Sequence, residues 1–116
     1  VTDRRELSRR YKETPPPAGV YRVRDTVTGR YFLSSSVNLP GILNRHRFSL
    51  ELGRERCRDL QRAWDEHGPG AFAFEVLDTL EPSDDPASDP AEEVRVLEEL
   101  WRARLAATDG SAWVIR

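Results

Sequence analysis

Two runs rich in β-branched and aromatic residues, Gly19–Asp25 and 30–35, flank the segment Thr26-Val27-Thr28-Gly29. That pattern predicts a β-hairpin. Downstream the apolar period lengthens. Leu39, Ile42, Leu43, His46 and Leu50 share one stripe at helical spacing, with Asn38 placed to cap the helix, Pro40 in its first turn and Gly53 to end it. A second helix is expected from about Glu55 to His67, stopped by Gly68-Pro69-Gly70. Residues 71–80 read as a strand with Phe72, Phe74 and Val76 on one face. Residues 81–90 hold three prolines, four acidic residues and two serines, the composition of a solvated loop. In the last long helix, 91–107, the stripe is Val94, Leu97, Trp101 and Leu105. At about 100° per residue, Glu98 falls on the edge of that stripe and Glu99 points outward. Upstream, Asp3 and Glu6 stand at capping-box spacing for a short helix to Lys12, which Thr14-Pro15-Pro16-Pro17 ends.

These elements predict an α+β domain, a small three-stranded antiparallel sheet flanked by α-helices. Its expected extent is 18–108, preceded by a helix and Pro-rich linker over 1–17 and followed by a tail over 109–116. A chain of 116 residues builds one core and little more. No apolar run approaches the roughly 20 residues of a membrane helix, and Val1 to Glu6 is charged rather than signal-like. The single Cys57 has no internal partner, which suits a reducing, cytoplasmic setting and a small buried hydrophobe. Charge is unevenly spread: residues 1–70 hold 14 Lys and Arg against 9 Asp and Glu, and residues 71–116 hold 4 against 11. All but one of the cations are arginines, the exception being Lys12. A basic half suits a surface that tracks phosphates; the plainer reading is a set of solvated arginines.

The motifs narrow this. Gly19-Val20-Tyr21 opens the first strand, and eleven residues on from Tyr21 stands Phe32-Leu33-Ser34. Ser35, Ser36, Asn38-Leu39, Ile42 and His46 follow, then Leu60 to Trp64 with His67-Gly68, the strand Phe72 to Leu77, and Glu98 three residues before Trp101. Taken together over about residues 18–105, the series resembles the GIY-YIG nuclease family. Gly19-Val20-Tyr21 matches its first motif with one conservative change. Phe32-Leu33-Ser34 falls where the family has Tyr-Ile-Gly, Ile42 where it has an arginine, and Glu98 where it has a metal-binding glutamate. No asparagine of the kind many members carry is found after the last helix. An eleven-residue offset also places Tyr21 directly across from Phe32 in a hairpin with an even-length loop.

The resemblance implies phosphodiester hydrolysis, with a tyrosine activating water, a carboxylate holding Mg²⁺ (or Mn²⁺), and an arginine stabilising charge on the phosphate. By that carry-over Tyr21, His46 and Glu98 are the expected catalytic residues and Glu98 the metal ligand. An inward-facing histidine such as His46 otherwise serves as a satisfied core residue. Arg22, Arg24, Arg30, Arg45 and Arg47 are the expected substrate contacts, and His67 is expected to complement a helix dipole. The expected partner is a nucleic acid, DNA in the first instance, with no membrane. With Phe32 lacking a hydroxyl and Ile42 a guanidinium, cleavage is expected to be weak or lost. The alternatives are an active Mg²⁺-dependent DNA endonuclease with a relocated arginine, and a protein-interaction or regulatory module using the acidic segment 81–93.

Overall fold

The computed structural model describes residues 16–81, 85–108 and 112–113; the expected helix over 3–12 lies outside them. β1 (Gly19–Asp25) and β2 (Tyr31–Ser36) form the predicted antiparallel hairpin. Its register differs from the expected one. Tyr21 pairs with Ser34, and Phe32 with Val23. The turn explains the difference. A direct Tyr21–Phe32 pairing needs a two-residue loop at Thr26-Val27, and the favoured loops of that length put the first residue or both at positive φ, where a β-branched side chain clashes. The chain instead uses four residues, closing with Gly29 at φ 80° and its N–H bonded to the Asp25 carbonyl at 2.8 Å. The slip is two residues, an even number, so both rings keep the same face of the sheet.

β3 (Phe72–Thr79) lies antiparallel along the other edge of β1, with a bulge opposite Val20 and Tyr21. A fourth strand, β4 (Ala112–Trp113), pairs parallel with β2, so among the described residues the sheet has four strands in the order β3-β1-β2-β4 rather than the expected three. Two residues carry no alternation of their own, and this strand exists through its partner. Trp113 is buried there.

Helices cover both faces. α1 (Leu39–Glu51) starts as predicted, the Asn38 side chain accepting from the Gly41 N–H at 3.0 Å, a cap worth about 1 kcal/mol. α2 (Arg58–His67) begins three residues later than expected. Glu55 is taken up in a turn: its backbone N–H donates to Gln61 Oε1 at 3.0 Å, and the Cys57 backbone is extended. α3 (Pro90–Thr108) lies on the opposite side. Tyr21, Val23 and Phe32 pack under α1 and α2 with Leu39, Leu50, Leu60 and Trp64. Val20, Tyr31 and Leu33 pack under α3 against Leu97, Trp101 and Leu105. Strand alternation thus gives each face its own core. Among the described residues, no helix is long and apolar enough to cross a membrane.

Candidate active site

Tyr21 points from β1 toward α1, and its hydroxyl meets His46 Nε2 at 2.7 Å. The other ring nitrogen, Nδ1, meets Glu55 Oε2 at 2.8 Å. All three side chains are withdrawn from solvent, with Glu55 only 4% exposed. Burial alone works to raise the Glu55 carboxyl, but the hydrogen bond and charge of His46 and the N–H groups of Cys57 and Arg56 outweigh it and hold the carboxyl below its usual range. Glu55 is therefore an anion, and an anion only accepts. In a neutral imidazole Nδ1 then donates to that anion and Nε2 accepts from the Tyr21 hydroxyl. Burial pushes the Tyr21 phenol well above its ordinary value; a hydrogen bond with Ser34 lowers it, and the Glu55 and Glu98 charges add to the rise. Tyr21 is a phenol at neutral pH.

Above this trio lies a cavity of about 250 Å³, with Phe32 and Ile42 among its apolar walls. Phe32 stacks at a tilt, 5.2 Å from the His46 ring centre. Arg45, Arg54 and Arg56 line the same cavity, as do Ser34, Ser35 and Ser49. Three guanidiniums around a phenol and an imidazole suit an anion with several oxygens. Glu98 arrives from α3, beyond the lining of the cavity: Ser35 Oγ donates to its Oε1 at 2.8 Å and Arg102 to its Oε2 at 2.9 Å. Among the described residues, no group of three or more His, Cys, Asp or Glu could hold a metal ion.

No family model matches the sequence, and neither does any curated protein. Solved structures do match. The catalytic domain of the homing endonuclease I-TevI superposes with TM-score 0.65 at 21% identity, over 85% of this chain and 98% of that one. A mutant of the catalytic domain of the intron endonuclease I-TevI gives 0.67 at 19%, over 86% and 94%. This is the GIY-YIG nuclease fold.

On the GIY-YIG fold the first motif explains its own glycine. A Cβ on Gly19 would run into the Asp78 carbonyl oxygen and lie 2.9 Å from Thr79 Cα, so β3 needs that position bare. Of the expected substrate arginines, only Arg45 lines the cavity. Arg22 and Arg24 project to the other face, where both bond to Glu75, at 3.3 Å and 2.5 Å. Arg30 lies over the Trp113 ring and Arg47 over Phe74, at 5.4 Å and 4.6 Å from the ring centres. His67 closes a contact that its helix-end position did not announce: Nδ1 bonds at 2.7 Å to Asp25, which is fully buried. Sequence reasoning missed Glu55, Arg54 and Arg56. The one available signal was three charged residues in a row, directly after the Gly53 that ends the helix bearing His46.

Proposed function

We propose that this domain binds a nucleic acid, DNA in the first instance, with a backbone phosphate in the cavity over Tyr21, and that phosphodiester cleavage there is weak. The supporting observation is the convergence of Arg45, Arg54 and Arg56 on the cavity that holds the Tyr21–His46 pair. Two solved structures that share this fold are endonuclease catalytic domains, and that likeness points the same way. In this reading Tyr21 faces the attacking water and the arginines take up charge that builds on the phosphate oxygens.

Weak cleavage is argued from the remaining groups. Phe32 and Ile42 line the cavity without a hydroxyl or a guanidinium. Glu98 provides one carboxylate, and with water and phosphate oxygens one carboxylate meets the needs of Mg²⁺. Its Oε2 is already covered by Arg102, so Mg²⁺ or Mn²⁺ held by Glu98 competes with that ion pair. When bound, the ion supplies Lewis-acid polarisation of the phosphate. A second reading, a working endonuclease, is favoured by the same arginines, any of which stands as the relocated guanidinium.

The test uses supercoiled plasmid with Mg²⁺ or Mn²⁺, followed by Glu98→Ala. Slow nicking or none, together with nucleic-acid binding whose log affinity falls steeply with log salt, is the expected result. Rapid cleavage lost in Glu98→Ala establishes the endonuclease instead. Binding that is undetectable at low salt overturns both and leaves the protein-interaction module.

A further inference from the structure

We infer that Glu55 is a positioning residue: its carboxylate holds His46 as the Nδ1–H tautomer, which leaves Nε2 free to receive the proton of the Tyr21 hydroxyl. The geometry is continuous, with 2.8 Å from Glu55 to Nδ1 and 2.7 Å from Nε2 to the phenol. Glu55 is held firmly for a residue on a connection. Its Oε1 accepts from the Cys57 N–H at 3.4 Å, and its own N–H is bonded to Gln61. Gln61 in turn donates to the Leu50 carbonyl at 3.1 Å and to Asp65 at 3.0 Å. The Glu55 carboxylate turns inward to an imidazole, while Arg54 and Arg56 stay exposed at the cavity rim.

The arrangement meets a need that burial creates. A phenol this reluctant to ionise takes a proton from water only as its own leaves. The balanced step has one water proton moving to the Tyr21 oxygen while the Tyr21 proton moves to His46 Nε2. The water oxygen bonds to phosphorus, and the scissile ester oxygen departs with the bonding pair. The imidazolium so formed lies against Glu55, which offsets its charge, the role a buried aspartate plays toward the histidine of a serine protease. The naming of water and phosphate rests on the proposed function; the tautomer does not.

The experiment is ¹⁵N NMR of the His46 ring in the whole chain at neutral pH. Wild type is expected to carry its proton on Nδ1, and Glu55→Ala to shift the larger part of the population to Nε2–H. Where the wild type cleaves measurably, Glu55→Ala is expected to lose rate by up to the roughly 10²–10⁴-fold that a positioned proton acceptor supplies. A wild-type ring protonated on Nε2 overturns the inference, as does an unchanged tautomer in Glu55→Ala. The wild-type spectrum decides the matter even if that variant does not fold. Failure of the nucleic-acid reading has a separate signature, wild-type binding that is absent at low salt, and it leaves the spectrum as predicted.

Discussion

Ile42 lines the cavity beside His46 and brings no charge to it. In the proposed reading a guanidinium there adds a donor where the transition state of phosphoryl transfer is most negative, and groups of that kind are worth about 10²–10³ in rate. Ile42→Arg is therefore expected to raise residual nicking of supercoiled plasmid by up to that range. A folded variant that binds Mn²⁺ and shows no gain removes Ile42 as a cause of weak cleavage. The meeting of Tyr21 with His46 was legible because a strand face and a helix stripe each have a period that gives a side chain its direction. Glu55 was not. Nine residues separate it from His46 across a helix end, and a connection has no period from which a direction can be read. Arg22 and Arg24 show the converse: strand alternation places them opposite Tyr21, and proximity in sequence to the motif says nothing about sharing its face.

At the level of elements, the approach of β3 to β1 is set by Gly19. Gly19→Ala forces a methyl against the Asp78 carbonyl, which belongs to backbone and has little room to yield. Overpacking of this sort costs about 1–3 kcal/mol, so a lower denaturation midpoint in urea is expected, with the β1–β3 end of the sheet losing amide protection first. A midpoint equal to wild type would mean that the bulge at Val20 absorbs the strain. The hairpin, the α1 cap and the stripe of α3 were all visible beforehand, because patterning and capping are local. Hairpin register was not, since it depends on which loop conformation Thr26 and Val27 tolerate. β4 was hidden for a different reason: a two-residue strand is defined by the edge it joins.

For the molecule as a whole, the sheet separates two environments, with the Tyr21 site on one face and the packed α3 on the other. Three paired carboxylates make the fold acid-sensitive. Asp25, Glu55 and Glu75 all lie below their ordinary values of 3.8, 4.5 and 4.5. In each case burial opposes the shift and is outweighed: by the Val27 N–H and His67 for Asp25, by His46 for Glu55, and by Arg24 and Arg22 for Glu75. A lowered folded value means stability that is complete above the unfolded value and is lost as pH falls through the folded one. The thermal midpoint should thus hold steady from neutrality to about pH 5 and drop progressively below about pH 4. A midpoint that climbs on acidification would contradict this assignment.

Cys57 sits two residues beyond Glu55, 1% exposed, with burial the largest influence raising its thiol above the ordinary range. A sulfhydryl reagent reaches it only while the segment bearing the imidazole's anionic neighbour swings clear of the core. Alkylation followed by mass measurement therefore clocks how often that wall opens, and the chain carries the reporter without any label being engineered into it.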